Sequence, residues 1–397
     1  MSTLRLLAFM SAALEARGAA PSVAAAVSSS APVHLRVEGL LEPVAVISEA
    51  LPRFSFLHAD DDAAAGGGFG ITQASYHIVV ADADTGALMW DSGDVESSNC
   101  SQIVYAGKPL PPFTRFAWTV AWTSSARVKS ALASARFETG PMQPSDWQGA
   151  GWLNGSKSQF RNEFNIAAAK KLVFARAYVA AAGCAHIEVN GKIPLPDLRG
   201  VCPWPVYSES VRYLTHDVTD LVTPGRNALG MVAGNQTGRW TNEPQAIVLV
   251  VVKFAGEHTT PTFALSSSSA GWMGTEPYVT VSTAWDATID WTKQEKGWSA
   301  PGFTPGPGWS AITAGSGSTA SARALAMPLS TELGRVKPVA VQKTVRNAPS
   351  FEPFYAKNDP FTKTGSGQTR ETLKTKEFCV GRRLVPLHVP EELRRNS

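Results

Sequence analysis

The sequence is poor in the features that would give it away quickly. Four cysteines stand far apart in 397 residues, at Cys100, Cys184, Cys202 and Cys379. They form no C-x-x-C pair, which argues against a structural zinc site or a disulfide framework. No apolar run reaches the ~18 residues that a helical membrane span requires, so no membrane is expected as a partner. Charge is scarce at 17% and nearly balanced at +3, with no long basic run. Nucleic acid is therefore not an expected partner. Helical periodicity is also rare, and Ser330-Thr331-Glu332-Leu333 is among the few short stretches that read as helix.

What the chain does contain is turn residues and aromatics. Its 33 Gly, 27 Pro and 44% apolar content fit a β-rich protein with many turns. The length exceeds what one core usually covers, so two or three domains are expected. Twelve Trp is a high number. Most Trp fill cores, but aromatics on loops are also what sugar-binding proteins present to their ligands. Three N-x-S/T triplets, at Asn99, Asn154 and Asn235, are compatible with secretion. Residues 1–32 read as a disordered Ala/Ser leader or a poorly matched signal peptide, because Glu15 and Arg17 fall where cleavage would occur.

Residues 33–140 read as a fibronectin-III-like β-sandwich of short strands and regular turns. Ala74–Ala81 is a strand candidate, Asp84-Thr85-Gly86 turns the chain, and "FTRFAWTVAW" (113–122) is rich in aromatics. The Asp60-Asp61-Asp62 run followed by Ala and Gly reads as a solvated acidic tip rather than a calcium site. A Pro/Gly-rich stretch, 141–152, reads as a linker. From Phe160 a second β-domain is expected, with "KKLVFARAYVAAAG" pairing with "AHIEVNGK". Asn190-Gly191 is a hairpin signal because both turn positions need φ > 0. The run "AIVLVVVKF" (246–254) suits a central strand buried on both faces.

"VRYLTHDVTDLVTPGRNALG" poses the sharpest question. A His and two Asp within six residues, His216, Asp217 and Asp220, resemble a catalytic or metal cluster. Yet Asp and Thr at a corner also satisfy backbone N–H groups that a bend leaves unpaired. No partner of known reach and no third or fourth ligand is visible, so the structural reading is preferred, with His216 an ordinary strand-end histidine. Cys184, between a Gly and a strand, reads as a small buried hydrophobe.

The same stretch, together with "VNGK" before it and "GN" after it, is similar to the N-terminal, non-catalytic module of bacterial-type α-L-rhamnosidases. The resemblance extends both ways in order. "GLLEPVAVISEALPRFSF", "QASYHIVVA", "LMWDSGDVESS" and "FETG" resemble that family's leading domain. "GWLNGSKSQFRNEFNI", "GWMGTEPYVTVSTAWDATIDW" and "GWSAPGFTPGPGW" resemble its second module and the approach to the catalytic part. It implies a mainly β chain: a fibronectin-III-like sandwich, a jelly-roll-like module over 141–312, and a connecting segment with a polar basic tail over 313–397. It also implies departures. The family's "GNGWY" reads Gly234-Asn235-Gln236-Thr237-Gly238-Arg239-Trp240 here, and its acidic "GExYDAR" is matched only loosely by residues 285–291.

The family's (α/α)6 catalytic barrel is not expected in this chain. Twelve helices need well over about 150 residues, and the polar stretch after Ala340 does not read as helix and is expected to be unpacked. Inverting hydrolysis needs two carboxylates about 6.5–9.5 Å apart. Asp286 with Asp290, or Asp217 with Asp220, are candidates by type only, so no catalytic residue is assigned. Some modules of the resembled type bind rhamnose through a bridging calcium ion, an ion that takes oxygen ligands. The resemblance thus implies carbohydrate binding without catalysis, with Trp204, Asn235, Arg239, Trp240 and Asn154 as sugar-binding candidates. Asp197 is the calcium candidate, and no cofactor is required. The competing reading has Trp204 and Trp240 capping the core and Asn235 shaping a turn. Two further functions stay open: the N-terminal part of an active inverting α-L-rhamnosidase, and a protein-interaction module.

Overall fold

The computed structural model describes residues 30–59, 72–154, 157–195, 202–203, 205–206, 209–234, 245–256, 261–283, 286–315, 322–325, 340–345 and 369–374. Among these, regular structure is strand throughout, apart from two 3-10 turns. None forms a helix long and apolar enough to cross a membrane. The Ser330–Leu333 helix expectation and the Asp60–Asp62 tip fall outside the described residues.

The first sandwich opens with β1 (Val33–Val37), β2 (Leu40–Leu41) and β3 (Arg53–Leu57). Then come β4 (Gln73–Asp82), β5 (Leu88–Asp91), β6 (Val95–Glu96) and β7 (Ile103–Val104), followed by β8 (Arg115–Ser124) and β9 (Ala133–Glu138). One sheet runs β2-β1-β3-β7 and the other β5-β4-β8-β9, with β6 also on β4. The turn after β4 forms as its residues suggest, with Asp82 Oδ1 accepting from the N–H groups of Asp84 and Thr85 at 2.8 Å. The core between the sheets is aromatic. Phe54 meets Trp118 edge-on at 4.7 Å, and Phe116 stacks on Phe137 at 5.1 Å. Such pairs add roughly 0.5–1.5 kcal/mol each beyond area burial.

The second sandwich contains β10 (Leu153–Asn154), β11 (Gln159–Ile166), β12 (Leu172–Ala181) and β13 (Cys184–Val189). It continues with β14 (Val211–Asp217), β15 (Gly225–Gly234), β16 (Gln245–Phe254), β17 (Thr262–Ser266) and β18 (Met273–Thr275). A β19 (Val279–Thr283) and β20 (Asp286–Ile289) hairpin, β21 (Ser310–Ala311) and β22 (Ala322–Ala324) complete it. One sheet runs β10-β16-β12-β14-β22 with β17 on β16, and the other runs β13-β15-β11-β18-β21. As the β-branched run suggested, β16 is buried on both faces. One inner face packs on β11, β13 and β15, and the other is covered by the first sandwich.

The pairing read from the sequence around Asn190-Gly191 is half right. Both residues take positive φ, at 53° and 75°, as the turn requires. However, β12 pairs with β14 and β16, whereas β13 pairs with β15 in the opposite sheet. Gly183, at φ 125°, sits at the point where the chain changes sheets, a conformation that L side chains rarely adopt.

The stretch read as a linker is packed. Residues Pro144–Trp147 form a 3-10 turn, and Trp147, only 2% exposed, meets Tyr213 edge-on at 5.5 Å. The Tyr213 hydroxyl donates to the Pro141 carbonyl at 3.2 Å. Two apolar residues of the first sandwich, Ala45 and Phe113, join Tyr178, Tyr213 and Leu249 of the second in one buried cluster. The indole of Trp147 wins this position because aromatic burial is favourable whether or not Pro and Gly flank it.

Separately, β23 (Ala340–Val345) pairs antiparallel with β24 (Thr369–Lys374). The stretch expected to be unpacked therefore contains a ladder. Val341, Thr344, Val345, Thr369 and Thr372 are β-branched residues, which suit a pleated strand.

Candidate functional site

The cluster around His216 resolves into scaffolding. The Arg176 guanidinium, 4% exposed, donates bidentately to Glu138 of the first sandwich at 2.9 and 2.8 Å. It also donates to Asp217 Oδ1 at 2.7 Å and Thr219 Oγ1 at 2.9 Å. Burial opposes the guanidinium's charge, but the Glu138 contacts and the Asp217 charge hold its pKa above the usual arginine value. A second tie joins Lys253 to Asp84 at 3.3 Å, with Arg115 on the same carboxylate. Burial would raise the pKa of Asp84, but these two cations lower it overall. Further along, buried Asn227 accepts from the Thr223 N–H and donates to the Thr223 and Gly225 carbonyls. Asn190 donates to its Oδ1 at 2.8 Å. The motifs "NGK" and "PGRNAL" are thus tied by side chains that satisfy turn backbone. His216 lies buried near the end of β14.

Four strand ends converge at one edge of the second sandwich. Gly234, the end of β15, pairs with Cys184, the start of β13. Gln245, the start of β16, pairs with Asn154 of β10, and its carbonyl accepts from Ala182 N–H at 2.9 Å. Cys184 is joined to Cys202 by a disulfide with Cα atoms 4.6 Å apart. This corrects two sequence expectations: Cys184 is neither a free buried hydrophobe nor outside a disulfide. Spacing alone did not reveal it, because the two Cys meet only when β13 starts beside the segment that precedes β14.

Of the sugar-binding candidates, Asn154 is exposed at this edge. Trp204, Asn235, Arg239 and Trp240 lie outside the described residues, as does the calcium candidate Asp197. Their described neighbours are nonetheless brought together. Cys202 and Pro203 precede Trp204, Gly234 precedes Asn235, and Gln245 follows Pro244 of the stretch that holds Asn235, Arg239 and Trp240. Among the described residues, no group of three or more His, Cys, Asp or Glu could hold a metal ion. The carboxylates considered for catalysis have other partners: Asp217 faces Arg176, and Asp290 accepts from Thr292 N–H and Oγ1 at 3.1 and 2.6 Å. The Thr292 contacts lower the pKa of Asp290. Asp286 opens β20 opposite Thr283.

The outer face of the β13-β15-β11-β18 sheet carries features the sequence reading missed. Arg161, 5% exposed, donates to the Trp298 and Ala300 carbonyls and to Glu163. Burial would raise the pKa of Glu163, but Arg161, Arg226 and the Gly302 N–H lower it. These contacts hold the segment around Trp298 against the sheet. There Val232, Tyr278, Trp298 and Trp309 form a separate apolar cluster. The spacing of Trp291, Trp298 and Trp309 was the available signal, but it does not show which ring faces water.

Comparison with known proteins agrees with this architecture. Residues 32–143 match the family described as the Rha78A-like, N-terminal immunoglobulin domain, and residues 170–331 match the α-L-rhamnosidase N-terminal domain. An α-L-rhamnosidase of Formosa agariphila is 28% identical over 242 residues, covering 51% of this chain and 24% of that protein. One of Alteromonas sp. is 25% identical over 310 residues, covering 70% of this chain and 32% of that protein. The solved α-L-rhamnosidase from Dictyoglumus thermophilum superposes with a TM-score of 0.63 at 22% identity, over 80% of this chain and 37% of that one. That from Aspergillus terreus gives 0.61, also at 22% identity, over 79% and 37%. The described residues form an all-β region of two sandwiches, with no (α/α)6 barrel among them. The chain thus contains the two domains that the family models describe for the N-terminal region of α-L-rhamnosidases. It spans about a quarter to a third of the length of the curated relatives it matches.

Proposed function

We propose that this region binds a rhamnose-containing glycan at the edge of the second sandwich where β13 and β16 begin and β15 ends, and does not itself cleave the glycosidic bond. The supporting observation is the convergence of Asn154, Gly234, Gln245 and the Cys184–Cys202 bridge at one edge. Asn235 follows Gly234 and Trp204 lies two residues after Cys202, while Arg239 and Trp240 fall within the stretch between Gly234 and Gln245. Stacking aromatics and amide or guanidinium donors are the groups that recognise a sugar's apolar face and its hydroxyls. Asp197, five residues before Cys202, is the proposed contributor for a calcium ion.

A second reading is that the region precedes a barrel in a longer, active inverting α-L-rhamnosidase. The curated relatives named α-L-rhamnosidase, three to four times longer than the matched part, favour it. The two readings are compatible, since an accessory domain can hold a glycan near a separate catalytic domain. Titration calorimetry with L-rhamnose, with and without calcium, tests binding. Heat that is lost on Asn154→Ala or Trp204→Ala supports the proposal. Zero heat in both conditions, from protein shown to be folded, removes it and favours a protein-interaction role.

A further inference from the structure

We infer that Trp291 is a second glycan-stacking site, on the outer face of the second sandwich, distinct from but close to the edge formed by Asn154, Gly234, Gln245 and Cys184. This inference rests on the carbohydrate-binding reading above and extends it to a further residue. Trp291 is 62% exposed, unlike Trp147, Trp272, Trp298 and Trp309, which are all 6% exposed or less. A single exposed apolar side chain is ordinary. This one is held in place from beneath and from its own backbone. Its ring stacks on Tyr278 at 5.6 Å with 27° between planes, and Tyr278 is only 4% exposed. Tyr278 in turn meets Trp298 edge-on at 6.5 Å, and Trp298 stacks on Trp309 at 6.4 Å. His186 Nε2 lies 3.3 Å from the Tyr278 hydroxyl.

The backbone is fixed as well. Trp291 begins the 3-10 turn Trp291–Lys293, which Asp290 caps through Thr292. An indole already ordered by stacking and by a capped turn loses little rotamer freedom when a ligand covers its free face. Polar groups lie close in sequence to Trp291 and its Tyr278 partner: Lys293, two residues after Trp291, pairs with Glu276, two residues before Tyr278, at 3.4 Å, and the two are 49% and 73% exposed. The arrangement is an aromatic platform with hydrogen-bonding groups close in the chain, suited to one face of a pyranose. A 6-deoxyhexose fits such a platform well, because a methyl group replaces the hydroxymethyl group and extends the apolar face.

Register places this platform near that edge. Tyr278 N–H donates to Gln159 Oε1. Gln159 and His186 both pair with Val232, two residues before Gly234. The ligand is therefore an oligosaccharide that carries α-L-rhamnosyl residues, with Trp291 contacting a ring other than the one at that edge.

The test uses the full chain labelled with 5-fluorotryptophan, with the Trp291 fluorine resonance assigned by its loss in Trp291→Phe. The probe is an α-L-rhamnose-containing oligosaccharide. A saturable shift of the Trp291 resonance, with affinity reduced about tenfold in Trp291→Ala, supports the inference. If other Trp resonances move and that of Trp291 does not, the inference fails while the carbohydrate-binding reading stands. If none moves, both fail.

Discussion

Charge removal at the Arg176 clamp should separate a buried ion pair from an exposed one within a single guanidinium. The side chains of Arg176 and Glu138 are 5% and 14% exposed, whereas that of Asp217 is 48% exposed. Removing one partner of a buried pair costs about 3–5 kcal/mol when the remaining charge is left uncompensated. In Glu138→Gln, Arg176 keeps Asp217 at 2.7 Å, so the expected loss is lower, about 2–3 kcal/mol. Asp217→Asn removes a solvent-screened charge, and the amide oxygen can still accept from Thr219 N–H. It should cost less than ~1 kcal/mol. The double variant Glu138→Leu with Arg176→Met leaves no buried charge and should be milder than Glu138→Gln alone. Urea unfolding followed by tryptophan fluorescence measures all three. The reasoning is refuted if Asp217→Asn costs as much as Glu138→Gln, or if Glu138→Gln costs under ~0.5 kcal/mol.

Acid should weaken the fold through Asp84 and Glu163, whose pKa values are lowered by neighbouring cations. Their contribution is present above the ordinary carboxylate pKa of about 4 and is lost as pH falls through the lower folded values. Tm should therefore drop steeply below pH of about 4, and Asp84→Asn should flatten the drop; an unchanged slope would count against the assignment. Reducing Cys184–Cys202, which are 18 residues apart, should cost about 3 kcal/mol by loop-closure entropy. Denaturation with and without dithiothreitol, with a thiol count to prove reduction, measures it. An unmoved midpoint in fully reduced protein would contradict that estimate.

Much of this protein could be read directly from its residues. Alternating and β-branched runs placed β4, β8 and β16, because a strand's two faces impose their period on the sequence. Asn190-Gly191 marked its turn, because few residues accept positive φ. The ordered motifs pointed to the α-L-rhamnosidase N-terminal region, and Asp217 was read as structural because corner carboxylates satisfy backbone, as its bond from Thr219 N–H does; its Arg176 partner was not legible in the sequence.

Other features were set only by long-range contacts. Whether β13 returned beside β12 or crossed to the other sheet depended on what each strand's far face could bury. Local pattern does not carry that information. Trp147 became core rather than linker because it packs on Tyr213 in the apolar cluster shared by the two sandwiches, and Trp291 stayed in water. Cys184 met Cys202 because the sheet put β13 and the segment before β14 at one edge. Sequence thus determined the strands and turns, whose causes lie within a few residues. Tertiary packing decided the partners, because burial and pairing depend on residues that are distant along the chain.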